Sequence, residues 1–475
     1  MKSNEINQSQ VTNLKSMEIE HSKKHMISYG FGRFVDSFLV TSFSAFVFYY
    51  YESEIGLAIW LLSVAYIIFA IWNAINDPFI GYITDRPYRF TKKLGRRFPW
   101  LIVGGIPWGF CYLLLFTPPI ANPQNGALLI FGWLLITIIL FETSASVYSV
   151  NMYAIFPDKF RADKERRTAS GIALIVSSAG NALGAIIPPL FIEFGNLQSY
   201  IFQAVVVIII TLIALVLSIP GCRDDQIRVD DFILRYKESK ERESFVKSFR
   251  LGLKHKNFRV YIFAFIFYSA LVLTAIASIP YYVRFVLKMK AFAITLIMAG
   301  YLLGSLIAVP IWIKIADKIN DNRRTIIISG FVSVIFSIPI IFIDSYLLFI
   351  LAVIFWGIGI GGFSILIDPI FSDIIDEAEL MTNRRKEGIY KGIQSFFNKL
   401  AIIIQVLTIA LVHTFTGFVE GAATQSDAAI WGIRLHLALF PMIFMLISVL
   451  IFWKFYDLTI NKLKIIKEKL NQVDV

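Results

Sequence analysis

Few residues in this chain can do chemistry, and most of those stand where water is scarce. Asp77 lies inside a long apolar run, with Asn73 one helical turn before it and Asn76 beside it. At 100° per residue, positions 73 and 77 are about 40° apart around a helix axis. A carboxylate with amide carbonyls offers hard oxygen ligands, the set that suits a proton or an alkali cation. Lys399 lies deep in another apolar run, where an ammonium needs an acidic partner. Glu142, Ser146, Ser149 and Tyr153 recur at spacings of four, three and four, which draws one polar stripe along a helix. Arg33 and Asp36 sit three residues apart in the first apolar run and can neutralise each other or meet a polar solute. Asp368, followed by Pro369, is a further acid in an apolar run, suited to a second protonation site or an inner gate.

Enzyme chemistry is not indicated. The five histidines (His21, His25, His255, His413, His436) never form a paired metal motif. No G-x-S-x-G, H-E-x-x-H or phosphate-binding loop occurs. Cys111 and Cys222 are far apart and neither belongs to a C-x-x-C pair, so neither a disulfide nor a metal site is expected.

The elements that must position these groups are membrane helices. The chain of 475 residues is 57% hydrophobic and only 17% charged, against roughly a quarter charged for a soluble protein. Its mean hydropathy is +0.66. A span needs about 20 apolar residues. Twelve runs qualify: 27–51, 57–82, 100–118, 127–155, 168–193, 198–220, 258–285, 291–316, 325–343, 346–375, 388–417 and 430–455. Residues 1–24 are polar, and no cleavable signal peptide is visible before the first run. No repeated pore loop suggests a channel.

The net charge of +11 sits in short loops, not in a stripe fit for nucleic acid. The even-numbered gaps are rich in Lys and Arg, as in Arg86 to Arg97 and Lys159 to Arg167. The odd-numbered gaps are poor in them, apart from Arg284, Lys288 and Lys290. By the positive-inside rule both termini are expected in the cytoplasm. The gap 221–258, with ten Lys/Arg and seven Asp/Glu, divides the chain into six runs and six runs. It reads as a solvated linker, with Phe232, Phe245 and Phe249 suggesting a short amphipathic helix. A weak repeat joins the halves: Asp85-Arg86 before Arg96-Arg97, and Asp317-Lys318 before Arg323-Arg324. The expected divisions are a tail (1–24), a six-helix bundle (25–220), a linker (221–257), a second bundle (258–456) and a tail (457–475).

Asn73-Ala74-Ile75-Asn76-Asp77-Pro78, Gly81, Asp85-Arg86 and Gly95-Arg96-Arg97-Phe98-Pro99-Trp100 resemble the D-A-x-x-D-P…G…D…G-R-x-x-P-W signature of the glycoside–pentoside–hexuronide:cation symporters. That family lies in the major facilitator superfamily. Ser28-Tyr29-Gly30-Phe31-Gly32 and, in the second half, Asp373-Ile374-Ile375-Asp376, Glu387-Gly388 and Gln394 to Leu400 agree with it. The resemblance implies an all-α, two-bundle carrier working by alternating access, with solute near the bilayer midplane. It implies a cation site at Asn73, Asn76, Asp77 and Ser146, with Lys399 facing the acid. It places sugar contacts at Ser37 and Ser149; Arg33, Asp36, Glu142, Tyr153, Gln394 and Ser395 are the other residues expected in the substrate cavity.

The chain departs from that pattern in informative places. Asn73 stands where the family has an acid, which weakens the pull on Na⁺ and tilts the expectation towards H⁺. Ser149 stands where melibiose-type carriers have an acid, and Thr168 to Leu174 contains no counterpart of their helix-five arginine. Asp85, Arg86, Arg96 and Arg97, with Asp368, Asp373, Asp376 and Glu387, are expected to form the inner gate. The expectation is thus a monomeric cell-membrane symporter that couples H⁺ or Na⁺ to a sugar or glycoside and uses no other cofactor. A related branch carries lysophospholipids, so a lysolipid-like solute is the alternative. A non-transporting sensor is the alternative of another class, against which the intact Asp77 and Lys399 argue.

Overall fold

The computed structural model describes residues 21–119, 122–160, 162–226, 229, 233, 252–382 and 387–473. Twelve helices there are long and apolar enough to cross a membrane. The first half holds α1 (Lys23–Glu54), α2 (Ile59–Thr84), α3 (Phe98–Leu115), α4 (Pro123–Lys159), α5 (Lys164–Leu190) and α6 (Leu197–Cys222). The second holds α7 (Lys256–Val286), α8 (Phe292–Ile319), α9 (Asn322–Ile341), α10 (Tyr346–Met381), α11 (Glu387–Thr416) and α12 (Asp427–Phe455). An amphipathic helix, α13 (Ile460–Val473), follows and packs on α10. The amphipathic segment expected around Phe232 to Phe249 lies outside the described residues, apart from Ile233.

Each half packs as its own bundle. In the first, α1 lies against α5 and α6, and α4 against α2 and α3; in the second, α10 lies against α8 and α9, and α12 against α7 and α9. Small residues set the closest approaches, as expected where lipid offers no hydrophobic drive between helices. An added Cβ at Gly184 on α5 would stand 2.6 Å from the Phe38 carbonyl of α1. The halves meet through α2 with α11, α5 with α8, and α1 with α7.

The two halves match most closely at the Lys/Arg-poor end. α1 and α7 both finish in a π-turn, Tyr50–Glu54 and Tyr282–Val286. In the first, Ile55 N–H bonds to the Tyr50 carbonyl and Leu57 N–H to Tyr51; in the second, Leu287 bonds to Tyr282 and Met289 to Val283. Positive φ follows at equivalent residues, Gly56 (80°) and Lys288 (53°). A third π-turn, Leu435–Leu439, interrupts the start of the last span. Such turns are rare and recur at functional sites.

At the Lys/Arg-rich end the signature residues form a clasp within the first half. Asp85, capping α2, accepts from Arg96 at 3.0 Å and Arg97 at 2.6 Å. Arg97 also reaches Asn151 of α4 at 3.2 Å. Asp224, after α6, accepts from the backbone N–H groups of Arg97 and Phe98 and so caps α3 from a distance. Gly95 makes room for this: its φ is +95°, and a Cβ there would sit 2.2 Å from the Asp224 carboxylate. Burial raises the Asp224 carboxyl above its ordinary range, against the pull of those two N–H groups.

Candidate functional site

The central cavity lies between the halves and measures about 340 Å³. α2 brings Asn73 and Asp77 to it, α4 brings Glu142, Ser146, Ser149 and Tyr153, α1 brings Asp36, and α11 brings Ser395 and Lys399. The four-three-four stripe of α4 therefore faces inward along its whole length. Helical periodicity does not flag the other polar walls, Asn398 and Gln405 on α11 and Ser44 on α1. Phe43, Phe69, Phe141 and Tyr66 supply an aromatic wall.

Asp77 is the meeting point of the halves inside this cavity. Ser146 Oγ donates to its Oδ1 at 2.5 Å, and Lys399 Nζ lies 3.7 Å from its Oδ2. Lys399 thus reaches across the interface to the acid and does not run out to a membrane surface. It also occupies a break in the helical ladder, with Glu387–Asn398 on one side and Leu400–Thr416 on the other. Interrupted helices at midplane are a recurrent way to build transporter sites. Among the described residues, Asn73 Oδ1 and Asn76 Oδ1 are buried without a hydrogen-bond partner. Asn76 itself turns from the cavity, its amide nitrogen 3.4 Å from the Glu142 carbonyl.

A second acidic centre stands nearby. Asp36 accepts from Ser149 and, at 3.1 Å, from Tyr153. Arg33 lies over the Tyr153 ring, 4.0 Å from its centroid, so Tyr153 links the two charged residues of α1. Glu142 is buried (8% exposed) within the cavity wall. Ser37 faces α5, 3.2 Å from where a Gly180 Cβ would be. Gln394 is buried and donates to Tyr261 at 2.9 Å. Ser37, Gln394, Arg33 and Asn76 are therefore absent from the cavity lining.

The expected gate residues separate into local groups. Asp85, Arg96 and Arg97 form the clasp described above. Arg86 is exposed and stacks on Tyr82 at 4.3 Å. Asp368 is exposed, with Lys391 at 3.8 Å. Asp373 is buried and accepts from Asn322 at 3.2 Å. Asp376 is half-buried on the same face of α10, and Glu387 opens α11.

The opposite end carries a cross-bundle network that the sequence motifs do not announce. Arg284 of α7 pairs with Glu54 of α1 at 2.9 Å and bonds to Tyr49 at 2.7 Å. Glu52 accepts from Tyr281 and lies 2.7 Å from His413. Glu420 accepts from Ile59 N–H at 3.0 Å, and Gly421 N–H donates to the Glu52 carbonyl at 3.1 Å. The signal was present as the pairs Tyr49-Tyr50 and Tyr281-Tyr282 at equivalent helix ends.

Two six-helix bundles around a shared polar cavity define a membrane transporter of the major facilitator fold. A family model described as "MFS/sugar transport protein" matches residues 28–460, and the chain belongs to that family. It is 23% identical to the sodium-dependent lysophosphatidylcholine symporter 1-A of Danio rerio, over 82% of this chain and 77% of that one. It is 23% identical to the raffinose carrier protein of Pediococcus pentosaceus, over 94% and 72%. The inner membrane symporter YicJ of Escherichia coli is 22% identical, over 95% of each chain. Among solved structures, the nucleoside transporter NupG superposes with a TM-score of 0.59 at 12% identity, covering 90% of this chain and 100% of that one. That likeness carries the fold alone.

Proposed function

We propose that the chain is a cation-coupled symporter of a sugar or glycoside, with the cation at Asp77. The observation that carries the ion site is the orphan carbonyl of Asn73 on α2, which lines the cavity with Asp77, one turn along the same helix, and Ser146 of α4. A proton needs only the carboxylate. Buried oxygens without donors suit Na⁺, which gathers several hard oxygens. The sequence tilted towards H⁺ because one acid is missing; the orphan oxygen of Asn73 beside the Asp77 carboxylate favours Na⁺.

In the proposed cycle Lys399 holds Asp77 when the cation is absent. The arriving ion replaces the ammonium at the carboxylate, which loosens α11 from α2. The two bundles then rock about the cavity. The Lys/Arg-rich ends lie in the cytoplasm, with both termini. Asp85, Arg96 and Arg97, with Asp373, Asp376 and Glu387, tune the inner gate.

The solute reading rests on the walls. Asp36, Glu142 and Tyr153 can bond hydroxyl groups, while Phe43, Phe69 and Phe141 can pack on the apolar faces of a pyranose ring. The named relatives support two solutes, since they include both a raffinose carrier and a lysophosphatidylcholine symporter. A lysolipid-like solute is the second reading, favoured by Ser149 in place of an acid. Uptake into proteoliposomes decides between them. Glycosides and lysophosphatidylcholine would be offered under an imposed Na⁺ or H⁺ gradient. Passive equilibration of every solute under both gradients sinks the symport reading.

A further inference from the structure

The Lys/Arg-poor seam holds a chain of titratable groups that the central cavity does not use. Glu52 comes from the π-turn of α1 and is 0% exposed. One of its oxygens accepts from Tyr281, and the other lies 2.7 Å from His413 Nδ1. His413 Nε2 lies 3.1 Å from His436 Nε2, on the π-turn that opens the last span. His436 Nδ1 lies 2.6 Å from Ser278 Oγ, which donates to the Thr274 carbonyl at 2.6 Å. The surrounding charges are otherwise matched. Glu54 takes Arg284, Tyr49 and Tyr200, and Glu420 takes the Ile59 N–H. Tyr66 of α2 is the remaining phenol near Tyr281, and Phe418 stacks on His413 at 4.1 Å.

We propose that Glu52, His413, His436 and Ser278 form a proton-binding site that latches the two bundles at this seam, separate from Asp77. Facing ring nitrogens can bond only if one carries a proton and the other does not. Ser278 has a single hydroxyl proton. With that proton on the Thr274 carbonyl, His436 must donate from Nδ1 and, being neutral, accept at Nε2. His413 then donates from both nitrogens, to His436 and to the Glu52 carboxylate. Every contact is satisfied and the group carries no net charge. Moving the shared proton from His413 onto Glu52 leaves the count the same.

Removing one proton changes the balance. Ser278 must turn to His436 Nδ1, both rings become neutral, and the Thr274 carbonyl loses its hydroxyl donor. The carboxylate charge is left without a cation at a fully buried position, which is strongly unfavourable. The closed seam therefore takes up one proton, and parting Glu52 from the two rings returns it to the water that enters. Acid on this side favours the latched form and alkali favours the open one. The inference needs the bundles to separate here; it does not depend on the coupling ion or the solute.

Spin labels at Gln124 and Thr424, both exposed at this end on opposite halves, read the seam in the full chain in nanodiscs. The distance distribution would be followed from about pH 5 to about pH 9, across the ordinary histidine range. For one proton, the closed-to-open ratio rises up to about tenfold per pH unit of acidification. Asp77→Asn keeps this response, while His413→Gln and His436→Leu flatten it. An unchanged response in both histidine variants, or none in the wild type, overturns the latch. A second measurement needs no variant: ¹⁵N ring shifts of the histidines in the native chain. One doubly protonated ring bonded to a neutral one, or two neutral rings bonded to a protonated carboxyl seen by infrared, supports it. Two neutral rings beside an ionised Glu52 at about pH 5 overturn it. Absence of solute uptake would sink the symport reading and leave both measurements standing.

Discussion

At Asp77 the hydroxyl of Ser146 is closer than the ammonium of Lys399, 2.5 Å against 3.7 Å. A loosely held ammonium is easier for an arriving cation to displace than a bidentate arginine would be. Asp77→Asn is expected to abolish uphill accumulation and to leave solute exchange in proteoliposomes; unchanged accumulation removes Asp77 from coupling. Asn73→Leu removes one orphan oxygen and keeps the shape, so the Na⁺ needed for half-maximal uptake should rise about tenfold, the equivalent of ~1.4 kcal/mol. A response of the Asn73 variant to pH with none to Na⁺ would return the ion to H⁺. At this scale the sequence was legible where an acid stood in an apolar run, and where a four-three-four spacing fixed a face. It was not legible where one residue decides a direction. Ser37 and Asp36 are neighbours about 100° apart, and only Asp36 reaches the cavity.

Helices and their junctions carry a different kind of information. Arg96 and Arg97, expected in the inner gate, also make a structural joint with Phe98, binding the ends of α2 and α6 to the start of α3. Gly95→Ala forces a side chain into a positive-φ position against Asp224, so it should cost about 1–3 kcal/mol and lower the melting temperature in detergent. A second joint involves His21, which precedes α1 and bonds to Glu165 at 2.8 Å and Asp225 at 3.1 Å. The hydrogen bond to Asp225, helped by that to Glu165 against burial, raises the His21 pKa. The protonated ring is therefore favoured in the fold. Its stabilisation is complete below the unfolded value of about 6.5 and is lost as pH rises through the raised value. Thermal stability should fall across that window in the wild type and lose this component in His21→Gln. The number, order and approximate bounds of the spanning helices were readable from hydropathy alone, whereas α13 was read only as a tail. The break at Lys399 and the π-turns were not, because a one-residue change in hydrogen-bond register leaves composition untouched.

As a whole molecule the protein is held shut at one end by contacts between bundles. Gly56 and Gly421 meet across that seam, and a Cβ on Gly421 would stand 3.1 Å from Gly56 Cα. Gly421→Val should wedge the seam, since its φ is +72° as well, and increase labelling of a cysteine placed at the buried Ser53. Equal labelling of variant and parent would show that the glycine contact does not set the closed state. The two-bundle plan was visible as a charged linker between sixes, and the family signature spans both halves. Of the contacts between the halves, the Asp77–Lys399 pair was legible, but the network at the Lys/Arg-poor seam was not motif-borne, because its members come from α1, α7, α11 and α12, far apart in the chain.

The π-turn at Tyr50–Glu54 has a genetic consequence. A π-turn accommodates one residue more than an α-turn over the same rise. Deleting a single codon there would give a more regular helix, yet turn the residues beyond it by about 100° and carry their contacts away from the partner bundle. The usual hierarchy of damage would invert: the lesion that improves the helix spoils the protein. Revertants would be insertions nearby, not substitutions, and the matching turn at Tyr282–Val286 should tolerate deletion no better.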